Sequence, residues 1–557
     1  MIDQEGETMP LLAAQPADEE TTNEQAPAAR LPKDSGFQNN SLRAWWPEAC
    51  TLAAFGALLA YAIPFHEPWA DEAQAWQMAR SLSLPDLFKT YLRYEGSPGL
   101  WQLLLWILNR AHIGYTAMHW VCGLIAVAAT AVLLFCSPFP RSLKLPLPFT
   151  YFLAFQYALV ARNYVLAPLL LFLVAVFWKR SPVLLTVLLG LLANTSLHLA
   201  AISGGLAIVF AVEQWREGRF LLRNRQRTFL ACSLLLMAFY AFAVWTAKPP
   251  HDVAFHTRSG SGALPALLRM LEILQPAGLA LVFWIGIALC FAARRALVYL
   301  LPVGLCAGFC VAVYASWWHV GLLFPLVVTL LWITWPNRTS APSRRETFGR
   351  VALLAYAALQ ILWSAYAFRF DHAQAYSPDR AAAAWLEPYV DQRATIAVTY
   401  ADEKSTNAFD AVGLLPYFDH NIFLNLHHAF WWWSAQDTTE ADFNRLLPSH
   451  PRLVIVEAVF KGSVDRVPLN EPKYIALNRS GYSFASEFCG SIPEALAPAL
   501  TNCHVIFEYA SPIPYSSAAQ TRAANENEPR TAEQLPSVES RCDKTGAISG
   551  CKAKVLR

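Results

Sequence analysis

The sequence predicts an all-α polytopic membrane protein that ends in a small exterior α/β domain, and three observations carry that expectation. Hydrophobic residues make up 55% of the 557 residues and charged residues 15%. The apolar residues fall in blocks, many approaching the roughly 20 residues that cross a hydrocarbon core of about 30 Å. Beyond Phe370 the blocks give way to short apolar runs between polar segments, the pattern of a soluble domain. The formal net charge of +2 leaves no global basic field, which argues against nucleic acid as a partner.

Residues 1–42 are rich in Glu, Gln, Ala and Pro and lack an apolar run, so they read as a disordered cytoplasmic tail without a cleavable signal peptide. Residues 43–370 read as the membrane domain, with a first exterior loop at 65–115. Its apolar runs lie near 48–65, 116–136, 146–160, 164–178, 182–196, 199–213, 228–247, 272–292, 296–314, 318–335 and 350–368. They predict about eleven transmembrane helices. The segment 98–110 is set apart as a helix lying in the outer interface. Of the eleven cysteines, those inside apolar runs (Cys50, Cys122, Cys136, Cys232, Cys290, Cys306 and Cys310) read as small packed side chains.

Positive charge orients this frame. With the amino terminus inside, the loops after even-numbered spans carry Arg141 with Lys144, then Lys179 with Arg180, then Arg216, Arg219, Arg223, Arg225 and Arg227. The later ones carry Arg294 with Arg295, and Arg338, Arg344, Arg345 and Arg350. Every such loop obeys the positive-inside rule. Counting 98–110 as a span would move the arginine-rich loop outside and break the pattern. The same parity collects the chemistry-bearing side chains on the other face: Asp71, Glu72, Glu95, Arg162, Tyr164, His198, His251, Asp252, His256 and His319.

In the first outward loop, Trp69, Ala73, Trp76 and Ala79 recur at helical spacing, and Asp71 and Glu72 start that helix. Neighbouring residues on a helix point about 100° apart. One carboxylate therefore faces a cavity while the other caps the helix start. Arg162 offers a planar cationic fork for phosphate, or snorkels at a helix end. Tyr164 fits an interface, as tyrosine does in any membrane protein. His198, between two apolar segments, can bind phosphate, relay a proton, coordinate a divalent ion or sit as a solvated turn residue. Lys248 and Arg258 flank a loop containing His251, Asp252 and His256. The two cations suit a lipid phosphate, while the His and Asp types suit a metal without matching a metal-binding spacing. His319 opens a span behind Trp317 and Trp318, which read first as an interface belt.

Four words of sequence, in order, carry a resemblance: Asp71-Glu72-Ala73, Glu95-Gly96-Ser97-Pro98 leading into Leu100 and Trp101, Arg162-Asn163-Tyr164, and Asn194-Thr195-Ser196-Leu197-His198. Together they resemble the GT-C superfamily of polyprenol-phosphate-sugar glycosyltransferases. The chain is most similar to the bacterial membrane transferases related to dolichyl-phosphate-mannose protein mannosyltransferase and the lipid A aminoarabinose transferase. The motifs cover residues 60 to 200, and the rest resembles the family in architecture. Where the family often has His-Pro-Pro-Leu this chain has Ser97-Pro98-Gly99-Leu100, and for Arg-Pro-Tyr it has Arg162-Asn163-Tyr164.

The resemblance implies a GT-C-like fold in the inner membrane of a bacterium, with the carboxyl-terminal domain in the periplasm. It implies sugar transfer from a polyprenyl-phosphate donor to a saccharide, lipid or protein acceptor of the cell envelope. Asp71, or Glu72 as second choice, is then the general base. Glu95, Arg162, Tyr164, His198, Lys248, Arg258 and His319 bind substrate. No cofactor or metal ligand is assigned, though a divalent ion is compatible with the donor phosphate. Two other classes stay open: a transporter or flippase for a lipid-linked saccharide, and a non-catalytic scaffold of the same fold. The first would call for broken mid-membrane helices and two-fold internal repetition.

Residues 371–515 read as the exterior α/β domain, with strands at Thr395 to Tyr400 and Leu453 to Val456 and helices at Ser377 to Leu386 and Glu440 to Leu447. Cys489 and Cys503 can pair in an oxidising compartment. The run Phe430-Trp431-Trp432-Trp433 beside His427 and His428 suits a sugar or membrane contact, or core packing. Residues 516–557 read as a flexible tail.

Overall fold

The computed structural model describes residues 45–218, 223–254, 277–313, 316–336, 341–401, 409–462, 464, 466–494 and 497–510. The expected tails at 1–42 and 516–557, with Arg258 and His256, lie outside the described residues. The chain divides into two compact units. The first gathers described residues of Met1–Pro68, Met78–Gln374 and Trp433–Ala435; the second gathers those of Trp69–Gln77, Ala375–Trp432 and Gln436–Arg557.

The first unit is helical. Its principal helices are α1 (Trp46–Ala62), α2 (Ala70–Ser81, shared with the second unit), α3 (Leu100–Arg110), α4 (Met118–Cys136), α5 (Leu166–Phe177), α6 (Pro182–Ala193), α7 (Leu197–Arg216), α8 (Arg223–Ala247), α9 (Ala277–Ala293), α10 (Leu301–Ala312), α11 (Leu323–Ile333) and α12 (Arg344–Ala373). Among the described residues, four stretches are long and apolar enough to cross a membrane: Tyr115–Cys136, Leu197–Arg216, Gln226–Ala247 and Arg344–Ala373. Shorter apolar helices accompany them. With its 11 residues, α3 is about half the length that the hydrocarbon requires.

The expected span at 146–160 is corrected. Pro146 and Pro148 remove backbone donors there, and the chain forms a 3-10 turn (Leu147–Phe149) followed by a π turn (Phe152–Gln156) instead of a continuous helix. This segment is buried almost throughout, so its apolarity reflects packing inside protein.

Helix contacts follow local sequence. α9 and α12 approach closely because glycine stands on both: a Cβ on Gly286 would lie 2.8 Å from that of Ala352, and one on Gly349 would lie 2.6 Å from the Gly286 carbonyl oxygen. α8 is different. Only 11% of its apolar window is buried, against 44% in each of the other three long helices, which leaves most of its surface to lipid.

Ion pairs tie helix ends together. Glu48 on α1 meets Arg141 at 2.9 Å and Lys144 at 3.0 Å. Lys179 lies 3.8 Å from Glu213, which also accepts from Trp178 Nε1 and Tyr299. Arg294 lies 3.2 Å from Glu346. Each bridge joins helix ends that the charge pattern of the sequence assigns to the same side.

The second unit contains a four-stranded sheet in the order β1-β2-β4-β3, from β1 (Ile396–Tyr400), β2 (Leu453–Lys461), β3 (Tyr482–Glu494) and β4 (Ala497–Tyr509). β1 and β2 are parallel; β2 with β4 and β4 with β3 are antiparallel. Helices α13 (Asp379–Asp391), α14 (Thr439–Leu446) and α15 (Pro472–Arg479) pack around it. Phe443, Tyr474, Leu477, Val454, Val456, Val505 and Phe507 form its core. Cys489 and Cys503 face each other in register and form a disulfide across β3 and β4.

Candidate functional site

In the first unit, three of the four sequence words are joined by hydrogen bonds. The chain ends a short helix at Glu95, turns through Gly96 and Gly99, and starts α3 at Leu100. Gly96 (φ 60°) and Gly99 (φ 95°) both adopt left-handed backbone that suits glycine. Glu95 therefore closes one helix five residues before α3 opens. The Leu100 amide donates to the carbonyl of Asn194 at 3.1 Å. Asn163 Nδ2 donates to the carbonyl of Thr195 at 3.1 Å. The words at 95–98, 162–164 and 194–198 thus share one patch of backbone.

Around that patch, Arg162, Tyr164, His198 and His319 converge. Arg162 precedes a 3-10 turn (Asn163–Val165), and its guanidinium carbon sits 5.6 Å from the ring centre of Tyr164 and 5.0 Å from that of Trp318. Such faces hold a cation without neutralising it as a carboxylate would. The rings of His198 and His319 stack at 4.1 Å and 14°, and Tyr164 meets His319 edge-on at 5.3 Å. Both histidines are buried.

Capping fixes both imidazoles. Ser196 caps α7 by accepting from the Leu199 amide, which sets His198 in the first turn. The Ser316 amide donates to His319 Nδ1 at 2.9 Å. An Nδ1 that accepts is unprotonated, so the neutral ring carries its proton on Nε2 and offers a donor there. A guanidinium, two imidazoles and an indole in one place suit an oxyanion such as phosphate. Trp318 is the member that sequence reasoning assigned to an interface belt; its position next to His319 was the available signal.

Asp71 and Glu72 lie in the first turn of α2, in the part that belongs to the second unit. Glu72 is buried and its Oε2 accepts from the Trp69 amide at 3.1 Å, closing the helix start. Asp71 stays half-buried. Two residues on, Gln74 clamps the backbone of Trp431, donating to its carbonyl at 2.7 Å and accepting from its amide at 2.8 Å. Phe430 and Trp431 are buried, so these two rings of the aromatic run pack as core.

The second unit also holds a charge network absent from the sequence reading. His504 is fully buried and is a cross-strand partner of Glu457. Its Nδ1–H donates to Glu457 Oε1 at 2.8 Å and its Nε2–H to Asp379 Oδ1 at 2.7 Å. Burial disfavours the imidazolium, yet the two carboxylates more than offset this and push His504 up to about 10. Asp410 is raised to about 8 by burial first, then by the charges of Glu457, Asp379 and Asp71, against the pull of His504. Asp71 thus lies close enough to Asp410 for its charge to favour the protonated carboxyl.

Lys248 is exposed at the end of α8. His251 is exposed as well. Asp252 accepts from Tyr94 at 3.0 Å and from Ser434 at 2.7 Å, and its backbone pairs with that of Ala435, so it holds a loop in place. The hydrogen bond from Ser434 is the main cause of its lowered pKa. As for metals, the imidazole pair best placed in the first unit is His66 with His119, whose ring centres are 5.2 Å apart. Asp371 orients His66 at Nδ1 from 3.1 Å, as carboxylates orient metal-binding histidines. Comparison of the chain with protein-family models, curated proteins and solved structures finds no match.

Proposed function

We propose that this chain is a membrane glycosyltransferase that moves a sugar from a polyprenyl-phosphate donor to an acceptor hydroxyl on the non-cytoplasmic face. The observation that carries the reading is the meeting of Arg162, Tyr164, His198, His319 and Trp318 on the hydrogen-bonded patch of the three sequence words. The three bridged ion pairs support the one-sidedness of the site, because they gather helix ends with basic residues that lie elsewhere along the chain. In this reading the chain crosses the membrane about eleven times, one crossing being the buried irregular segment 146–160, with an inward amino terminus and an exterior second unit.

The chemistry follows from charge. The donor sugar is already joined to phosphate, a leaving group that departs as an anion and needs no proton. Arg162 and the His319 Nε2–H stabilise the charge that develops as the anomeric carbon–oxygen bond breaks. Asp71 takes the proton of the acceptor hydroxyl while its oxygen forms the new bond, so one displacement inverts the anomeric carbon. Glu72 is occupied as a helix cap, which favours Asp71 for this task.

The test is release of polyprenyl phosphate from a labelled donor by the reconstituted full chain. The expected result is turnover by the wild type that falls at least a hundredfold in Asp71→Asn, with insertion and folding unchanged. Turnover in Asp71→Asn equal to wild type removes Asp71 from the mechanism. Movement of intact donor across the bilayer without bond cleavage would replace the reading with that of a flippase.

A further inference from the structure

Away from the Arg162 group, an open cavity of about 590 Å³ lies at the end of α8, lined by Arg93, Tyr240, Ala241, Val244, Trp245 and Lys248. Three features define it. Its walls come from one face of α8, residues 240, 241, 244 and 245, on the helix that buries least of its apolar surface. Trp245 and Val244 are 49% and 60% exposed, so one wall opens toward lipid. Its rim carries two cations. Arg93 Nε donates to the backbone carbonyl of Lys248 at 3.0 Å, which draws the two side chains to one place. Among the described residues, neither Arg93 nor Lys248 forms an ion pair with a carboxylate.

The end of α8 beside the cavity is anchored. Phe88 packs on Phe242 with ring centres 5.6 Å apart, and Thr246 donates to the carbonyl of Pro98 at 3.2 Å. Tyr240 donates to the carbonyl of Ala200 at 2.8 Å, two residues from His198. Occupancy of this cavity therefore bears on the helix that carries His198.

We propose that this cavity is a binding site for one anionic phospholipid of the surrounding bilayer, with its phosphate between Arg93 and Lys248 and an acyl chain along Tyr240, Val244 and Trp245. Charge complementarity selects the headgroup: two unneutralised cations beside an apolar wall at a helix end match an anion carrying a hydrocarbon body. Trp and Tyr at the same level match the interface where headgroup and chain meet. A soluble anion would leave the apolar wall unfilled, and a neutral lipid would leave both cations uncompensated. The proposal does not rest on sugar transfer, and its test has no enzymatic readout.

The test is native mass spectrometry of the full chain in detergent, titrated separately with phosphatidylglycerol, phosphatidylcholine and inorganic phosphate. The wild type is expected to retain one phosphatidylglycerol with roughly tenfold preference over phosphatidylcholine. Lys248→Gln and Arg93→Gln are each expected to reduce that preference, and the double variant to abolish it. Lys248 is exposed, so Lys248→Gln keeps the test valid should Arg93→Gln misfold. Equal retention of both lipids, unchanged preference in Lys248→Gln, or displacement of the lipid by inorganic phosphate would each overturn the proposal.

Discussion

The two units each bury a histidine, and the two histidines are built for opposite tasks. His319, in the first unit, stacks on His198 beside Arg162, and its Nδ1 accepts a backbone hydrogen bond. That arrangement suits a neutral ring next to a cation. His504, in the second unit, donates from both nitrogens to carboxylates and is a cation at neutral pH. Its charge is already balanced. The contrast teaches that partner type, more than burial, decides whether a buried histidine is held neutral or charged.

The sharpest way to break the comparison is to remove one member of each group. Arg162→Ala is expected to lower transfer by about a hundredfold to a thousandfold, as loss of an oxyanion donor does, with little change in thermal stability. His504→Leu should do the reverse. It leaves Asp379 and Glu457 buried without their cation, and such losses cost about 3 to 5 kcal/mol. Hydrogen exchange across β2 and β4 in the full chain would register it. Should Arg162→Ala instead unfold the first unit, the guanidinium is structural and the contrast fails.

Acidity sharpens the same point. The folded His504 titrates near 10 against an ordinary 6.5, so its contribution is fully present below about 6.5 and is lost as pH rises through 10. Asp410 titrates near 8 against 3.8, and because it too is raised, its effect has the same sign: stability falls as pH climbs from about 4 to 8. The second unit is therefore expected to lose stability steadily from mildly acidic to alkaline pH. Exchange rates in β4 that slow over that range would contradict the network. Replacing Cys489 and Cys503 by serine, which opens a loop of 14 residues, is expected to cost up to about 3 kcal/mol in the same strands. The smallest effect falls on the α2 cap. Glu72→Ala should cost about 1 kcal/mol by thermal unfolding, whereas Glu72→Gln can still accept from the Trp69 amide.

Much of this was legible in the sequence, and the failures have physical causes. The family resemblance singled out the segments at 95–98, 162–164 and 194–198, and hydrogen bonds join them in the fold. Hydropathy misread 146–160 since it weighs side chains and ignores the donors that Pro146 and Pro148 lack. The long strands β3 and β4 escaped notice because their Ser, Glu, Thr and Asn residues interrupt any apolar run. The His504 network was out of reach entirely: its members are separated by 47 and 125 residues, and no local pattern announces a pairing made by sheet topology. Trp318 was visible but read as an anchor, as an indole next to a membrane usually is.

One geometrical claim carries the account: the Arg162 group and the basic helix ends occupy opposite faces of the membrane. Cysteines introduced singly at Lys248 and at Arg141, with exposed Cys50 and Cys136 and the tail residues Cys542 and Cys551 replaced by serine, report it directly through a membrane-impermeant thiol reagent applied to intact cells. Labelling at position 248 and protection at 141 until the membrane is opened is the expected result. Labelling of both positions from the same side would contradict it.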